Sequence, residues 1–275
     1  MKPILISSLL LLLPFTQLCA KVQCSKDVVC IETQSKGQQI LFYAINKKEH
    51  KVSINIDVKS TGMRASTTLP KIFVLKGKEK QFLLSLEHGQ KAWNYNYHYD
   101  WAKGDYTAVH DTDYVYDLPY DKQDKFKVAQ SCNGTFSHFG ESQYAIDFVM
   151  PINTPIHAAR EGIVIDTKND SSIGGNSRSY MDDANYVSIE HSDGTLGLYN
   201  HLKMNGVAVT LGQFVTKGRL LGYSGNTGFS DGPHLHFDVK SSDSKGNPIS
   251  FPSPFLTDKG IITCPKKNTY LSHQK

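Results

Sequence analysis

Apolar and polar residues alternate along most of the chain with the period of two that is typical of β-strands. The clearest case is the stretch 51–58, in which every second residue is valine or isoleucine. Similar short runs cover residues 39–45, 71–75 and 81–86, separated by turns. Short alternating strands divided by turns predict a small β-sandwich-like domain in the amino-terminal part of the chain.

An aromatic stripe continues this alternation. Every second residue of the next predicted strand is aromatic, so one face is aromatic and the other polar. Such a face can stack on sugar rings, but large aromatic side chains more often fill cores and interfaces. Packing against a neighbouring sheet or domain is the favoured interpretation, and carbohydrate binding is the alternative. The stripe consists of Trp93, Tyr95, Tyr97, Tyr99 and Trp101.

The pattern changes at residues 121–127, a charged stretch whose one apolar residue is Phe126. We place a domain boundary there. Further strand patterns follow at 144–149, 162–165 and 186–189, and residues 168–183 form a long polar stretch typical of a loop. No amphipathic helical pattern extends beyond a turn or two. The predicted fold class is therefore mostly β, with an antiparallel β-sheet core in the second domain.

The first residues have the features of a secretory signal peptide: a positive start at Met1-Lys2, an apolar run from Ile4 to Phe15, and a cleavage site at Ala20. The run is too short for a comfortable transmembrane helix, and no later run is as long. A lipoprotein interpretation of Cys19 is disfavoured because Leu18 lies where a small residue is expected. The predicted organisation is a signal peptide (1–20), an amino-terminal β domain (21–122), a second domain (123–266) and a tail (267–275). Export predicts a periplasmic or extracellular protein, with the periplasm preferred.

Four cysteines would remain after removal of the signal peptide, and an even number in an exported chain predicts disulfides. Cys24 and Cys30 could close a short local loop, while Cys132 and Cys264 would tie the start of the second half to its end. The sequence alone leaves the other pairings open. The net charge of +4 comes from dispersed lysines, so the sequence gives no footprint of a nucleic-acid-binding protein.

Candidate chemistry lies in the second domain, where His234 and His236 are one residue apart in a predicted strand. Residues i and i+2 of a strand share a face, so both imidazoles can reach one site. Asp147 lies in an otherwise apolar strand, where a buried carboxylate requires a partner, and His201 ends another predicted strand. Three histidines and a carboxylate match the nitrogen and oxygen ligands of zinc. The alternative is a set of hydrogen-bonded structural groups.

A series of ordered motifs in the same half of the chain resembles the lysostaphin/LytM type of zinc metalloendopeptidase, a family of peptidoglycan hydrolases. The resemblance covers about residues 130–255 and not the amino-terminal β region. It implies an antiparallel β core with a groove for one Zn²⁺ ion, and peptidoglycan peptide as the substrate. The motifs are 144–151, 154–156, 158–162, 193–195, 199–202, 222–228 and 232–237.

Carried over residue by residue, the resemblance implies that Asp147 and His236 are metal ligands and that His201 and His234 are catalytic. The family usually carries a histidine four residues before the aspartate, and this position is Gln143 here. Glutamine is a poor zinc ligand. We predict that His138, nine residues before Asp147, supplies the third metal ligand because the intervening loop folds back. The alternative is that His138 is an ordinary loop residue and that the site lacks full affinity for zinc.

These features predict an exported zinc endopeptidase that hydrolyses peptide bonds of bacterial peptidoglycan. The alternative is a non-catalytic LytM-like domain that binds cell wall or regulates a partner wall hydrolase. The departure at Gln143 favours that alternative, whereas the four matching polar groups elsewhere count against it.

Overall fold

The computed structural model of this chain describes residues 20–243 and 247–274. The predicted signal peptide, apart from its last residue, lies outside the described residues. Strands dominate the described part of the chain, and its helical structure is confined to two short 3₁₀ turns at Gly140–Ser142 and Arg178–Asp183. No helix in this part is long and apolar enough to cross a membrane. The prediction of a mostly β, antiparallel protein is confirmed.

The amino-terminal part is built from two antiparallel sheets that enclose a common core. One sheet has the order β1-β2-β3-β7-β5 and the other β6-β4-β8. Alternate side chains of β3 and β4 point inward, so Phe42, Ile54 and Ile56 are fully buried together. The strands are β1 (Ala20–Ser25), β2 (Val29–Lys36), β3 (Gln39–Asn46), β4 (Val52–Thr61), β5 (Met63–Ala65), β6 (Lys71–Leu75), β7 (Lys80–His88) and β8 (Asn94–Lys103).

The aromatic stripe mostly faces this core. Tyr95 and Tyr97 meet the ring of Phe42 edge to face, each with ring centroids 5.5 Å apart. Tyr99 and Trp101 also pack against the core, whereas Trp93 is 40% exposed and stacks on His88. The stripe therefore packs against a neighbouring sheet, which is the interpretation favoured from the sequence. Burial of these large aromatic side chains stabilises the fold more than their exposure to solvent would.

The second part forms one large antiparallel sheet with the order β16-β12-β14-β15-β19-β10-β9-β23, to which β11, β17 and β20 add at the side. Two small two-stranded sheets, β13-β18 and β21-β22, accompany it. The strands are β9 (Lys125–Gln130), β10 (Ile146–Val149), β11 (Pro155–His157), β12 (Gly162–Lys168), β13 (Gly174–Gly175), β14 (Asn185–Glu190), β15 (Leu196–Val207), β16 (Phe214–Val215), β17 (Leu220–Ser224), β18 (Gly228–Phe229), β19 (His234–Ser242), β20 (Pro248–Phe251), β21 (Phe255–Thr257), β22 (Gly260–Ile262) and β23 (Tyr270–Ser272).

A second hydrophobic core lies against one face of this sheet, centred on Phe237 of β19. Its ring meets Tyr199 of β15 at 5.1 Å and Phe255 of β21 at 5.6 Å between centroids. Tyr116, which precedes the predicted domain boundary, and Leu271, which lies in the predicted tail, are both fully buried in this core. The position of the boundary remains a prediction.

Two disulfides join the four cysteines within the described residues. Cys24 and Cys30 pair across β1 and β2, where they are directly opposite each other. Cys132 and Cys264 join the loop after β9 to the segment before β23, across 132 residues of chain. These two disulfides are the pairing described in the sequence analysis, where the other possible pairings of the four cysteines were left open.

We predict that the long-range disulfide stabilises the fold more than the local one, because a cross-link that closes a longer loop removes more entropy from the unfolded chain. Replacing Cys132 and Cys264 by alanine should lower the free energy of unfolding by about 4–5 kcal/mol, against roughly 2 kcal/mol for Cys24 and Cys30. Urea unfolding followed by far-UV circular dichroism, which reports on the strands of both parts of the chain, measures both changes. Equal losses for the two double variants would contradict the prediction.

Candidate metal centre

The register of two neighbouring strands places Asp147 directly opposite His236. β10 pairs antiparallel with β19, and Ile146 and Phe148 on either side of the aspartate point into the core. Because side chains alternate along a strand, Asp147 lies on the opposite face, together with His234 and His236. Asp147 Oδ1 is 2.9 Å from His236 Nδ1 and 3.7 Å from His234 Nε2.

A β-bulge brings His201 to the same face. Tyr199 is buried in the core and Asn200 lies opposite His236, so simple alternation would direct His201 into the core. The pairing of β14 with β15 shifts at this point, and His201 adopts a left-handed backbone with φ of 65°. The extra residue reverses the alternation and re-aims the side chain. The ring of His201 then lies 4.6 Å from that of His234 between centroids.

His138 reaches the site from the loop that follows β9. Its ring is fully buried, 5.2 Å from the ring of His236, and its Nε2 lies 3.1 Å from Asp147 Oδ1. Ligand atoms of His138, Asp147 and His236 all lie within 4.8 Å of one another, which makes them a group that could hold a metal ion.

Gln130, the last residue of β9, holds both the loop and the carboxylate. Its Nε2 donates to Asp147 Oδ2 at 3.1 Å and to Ser137 Oγ at 2.8 Å. Its Oε1 accepts the backbone N–H groups of Phe136 and Ser137 at 3.0 and 3.2 Å. One side chain therefore fixes the loop that carries His138 in relation to Asp147.

Gln143 turns away from this group. It follows the 3₁₀ turn, and its Nε2 donates to the side chain of the exposed Asn133 at 2.9 Å. The structure thus places His138, and not Gln143, beside Asp147 and His236. That His138 binds a metal ion stays a prediction.

The hydrogen bonds of His138 leave one nitrogen directed at the carboxylate. Its Nδ1 lies 3.0 Å from the carbonyl of Ser131, which can only accept, so Nδ1 carries a proton. The buried Nε2 has no hydrogen-bond partner, although Asp147 Oδ1 is close. When the ring of His138 is neutral, the lone pair of its Nε2 faces a lone pair of Asp147 Oδ1, and the two repel each other. A cation bound between these two atoms would remove the repulsion. The donor set of two imidazoles and a carboxylate fits zinc.

The charges of the site agree with this assignment. Burial opposes the charged form of Asp147, but the adjacent His138 and His236 outweigh it and hold the pKa of the carboxyl well below its usual range. Burial likewise lowers the pKa of His138, but Asp147 outweighs it and raises that pKa. A positive charge between these groups is therefore favourable.

His201 and His234 are held by backbone carbonyls. His201 Nδ1 lies 2.7 Å from the carbonyl of Thr227, and His234 Nδ1 lies 2.7 Å from that of Gly232. Both Nδ1 atoms must donate, which leaves Nε2 of each neutral ring as an acceptor in the site. Burial, together with the nearby His234 and His236, lowers the pKa of His201 to about 3, so this histidine is neutral at ordinary pH.

Two clefts flank the site. One, of about 460 Å³, is lined by His201 and His236 together with Arg178. The other, of about 560 Å³, is lined by Asp147 and Gln130. Phe136 lines the second cleft and Phe229 the first, and their rings stack with centroids 5.2 Å apart. The clefts therefore meet at the candidate metal centre, with this aromatic pair between them.

Several residues of the site escape sequence reasoning. Gln130 lies in strand β9, which the sequence analysis did not identify. The alternating apolar residues of this strand, Phe126 and Val128, stand among charged residues that obscure the strand pattern. Asp238 is fully buried, its carboxyl oxygens have no hydrogen-bond partner, and one lies 4.0 Å from His236 Nε2. A carboxylate behind a metal-binding imidazole orients the ring. The sequence could have indicated Asp238, because it follows His236 by two residues and therefore lies on the same face of the strand.

Comparison with known proteins agrees with this arrangement. Residues 141–249 match the model of Peptidase family M23, so this segment of the chain is similar to an M23 peptidase domain. The matched segment includes Asp147, His201, His234 and His236 but begins after His138. The resemblance to lysostaphin/LytM-type proteins is thereby confirmed.

Named relatives of this segment are cell-wall peptidases. Peptidoglycan DD-endopeptidase ShyA of Vibrio cholerae is 39% identical over 93 residues, which are 34% of this chain and 19% of the relative. Glycyl-glycine endopeptidase ALE-1 of Staphylococcus capitis is 32% identical over 122 residues, 44% of this chain and 31% of the relative. The structure of lysostaphin from Staphylococcus simulans aligns at 28% identity over 46% of this chain and 47% of that one, with a TM-score of 0.34. The chain thus spans less than a third of the length of these two sequence relatives.

The neutral state of His201 predicts a pH dependence of stability. The pKa of His201 is about 3 in the folded chain and about 6.5 in the unfolded chain, so between these values the unfolded chain binds more protons. The free energy of unfolding of the metal-free protein should fall as the pH drops through this window, by up to about 1.4 kcal/mol per pH unit from this group. Urea unfolding at pH 6.5, 5 and 4 measures the slope. His201→Gln should reduce it, whereas a slope unchanged from wild type, as expected for the exposed control His98→Gln, would contradict the assignment.

Proposed function

We propose that the chain is an exported zinc metalloendopeptidase that hydrolyses peptide bonds of bacterial peptidoglycan. The observation that carries the proposal is the position of His138, which completes a group of two histidines and a carboxylate although the usual position holds Gln143. A catalytic zinc site needs three protein ligands and an open position. The replacement of the missing ligand removes the main argument for a non-catalytic relative.

The proposed ligands are His138, Asp147 and His236, and zinc bound there would supply a Lewis acid that acidifies water and polarises the scissile carbonyl. The carbonyl of Ser131 orients the imidazole of His138 from behind through a hydrogen bond, and the carboxyl of Asp238 lies 4.0 Å behind that of His236. Gln130 holds the second oxygen of Asp147, so that Oδ1 faces the two histidines.

His201 and His234 are the proposed catalytic residues. Each directs its Nε2 into the site because its Nδ1 is bonded to a backbone carbonyl. One of them accepts the proton of the attacking water, and the protonated imidazole then donates it to the leaving amine. The Nε2 of the other accepts a hydrogen bond from the attacking water and orients it. Their rigid backbone anchors keep both rings in place during these transfers.

The substrate class is supported by two further observations. The relatives of the matched segment are named as peptidoglycan DD-endopeptidase and glycyl-glycine endopeptidase. Clefts on both sides of the site provide room for an extended peptide on each side of the scissile bond. The proposed cellular location, the periplasm or the exterior, places the enzyme where its substrate is.

We predict that His138→Ala lowers zinc affinity at least about 100-fold, because it removes a direct ligand and not only an outer-shell partner. Gln143→Ala is the matched control and should retain zinc. Metal analysis after dialysis and competition with a chromogenic chelator measure both. Circular dichroism of the metal-free variants checks their fold. Retention of zinc by a folded His138→Ala protein would exclude the proposed ligand set.

We also predict that the zinc-loaded protein releases soluble fragments from purified sacculi and that a chelator abolishes this release. His234→Ala should retain zinc but lower the rate about 10²–10⁴-fold, as expected for loss of a general base. Chromatography of the released fragments measures the rate. Tight binding to sacculi without any release would instead identify a non-catalytic wall-binding domain.

A further inference from the structure

The cleft beside Asp147 has a basic rim. Three lysines line it: Lys127 on β9, and Lys266 and Lys267 in the segment before β23. The acidic residues that line the same cleft are Asp147, which belongs to the candidate metal centre, and the exposed Asp231. Phe136 lines this cleft, and its ring stacks on that of Phe229, which lines the cleft that reaches His201.

The three lysines differ from many other surface lysines in the partners of their ammonium groups. Among the described residues, the ammonium groups of Lys127, Lys266 and Lys267 have no ion-pair or hydrogen-bond partner. By contrast, Lys51 contacts Glu190 at 2.9 Å, and Lys80 contacts Glu32 at 2.8 Å. Like charges gathered around one concave surface repel each other, and their combined field attracts an anion.

The segment that carries two of these lysines is fixed at both ends. Cys264 is bonded to Cys132, which lies in the loop leading to His138. On the other side Tyr270 of β23 pairs with Lys127 of β9, and Asn268 N–H donates to the carbonyl of Val128 at 2.8 Å. The backbone positions of the lysines are therefore set before a ligand arrives, which lowers the entropic cost of binding.

We infer that this cleft is a binding site for a carboxylate of the substrate, on one side of the scissile bond. Lys266 and Lys267 are its specificity-determining residues, and Lys127 lines the same cleft. An ammonium group recognises a carboxylate as a point charge at short range, whereas an amide in its place offers no charge. The inference rests on the proposed function, because it assigns the carboxylate to a peptide that is cleaved at the adjacent site.

The test compares two pools of cross-linked muropeptides, one native and one in which carbodiimide and ammonia have converted the free carboxylates to amides. The zinc-loaded full chain should cleave the native pool with a KM about tenfold lower and a similar kcat, because the interaction is with bound substrate and not with the reacting atoms. Lys266→Gln/Lys267→Gln should lose this preference through KM. The control is Lys36→Gln/Lys91→Gln, at two exposed lysines of the amino-terminal part, which should keep it.

The outcomes separate the two proposals. Equal KM for both pools with wild-type protein, or an unchanged preference in the Lys266→Gln/Lys267→Gln variant, would overturn the carboxylate site while the peptidase assignment stands. Absence of cleavage of either pool would overturn the proposed function. In that case equilibrium binding of the same pools to the same chain decides the cleft: about tenfold tighter binding of the native pool, lost in the double lysine variant, supports the site, and equal binding overturns it.

Discussion

The carboxylate of Asp147 is the constraint around which the candidate site is arranged. It is buried between β9 and β19, where an unpaired charge would destabilise the fold severely. Gln130 satisfies one of its oxygens, and two imidazoles converge on the other. This pairing makes the carboxyl strongly acidic and simultaneously leaves a place for one more positive charge. A structural requirement of the fold and a requirement of metal binding are thus met by the same contacts.

Strand pairing supplies most of the remaining geometry. The registers of β10 and β15 against β19 bring Asp147 and Asn200 next to His236, while Phe148, Phe237 and Tyr199 fill the core behind them. A packed aromatic core has little freedom to shift, and this holds the backbone of the strands that carry the histidines on the other face in place. The bulge at His201 is an irregularity in this face, and its left-handed backbone is a local cost that orients a proposed catalytic side chain.

The sequence predicted those parts of the structure that follow from periodicity. Alternation identified the strands around Val52 and Ile163 and the inward face of the aromatic stripe, and the spacing of His234 and His236 placed both on one face. Pairing partners lie far apart in sequence, so alternation alone did not show that Gln130 contacts Asp147. The bulge at His201 also escaped, because a one-residue shift between strands leaves no trace in the polarity pattern.

A metal centre requires a donor at a point in space and not at a fixed spacing along the chain, and in the proposed centre His138 is that donor. In this chain Gln143 directly follows the 3₁₀ turn at Gly140–Ser142, three residues before β10 begins, and therefore lies outside that strand. A loop donor must be held by added contacts, because an unrestrained loop would lose its orientation. Gln130 and the disulfide at Cys132 are such contacts. The same disulfide ties the basic segment of Lys266 to the loop that carries His138, so one cross-link helps to hold both the proposed ligand and a wall of the adjacent cleft.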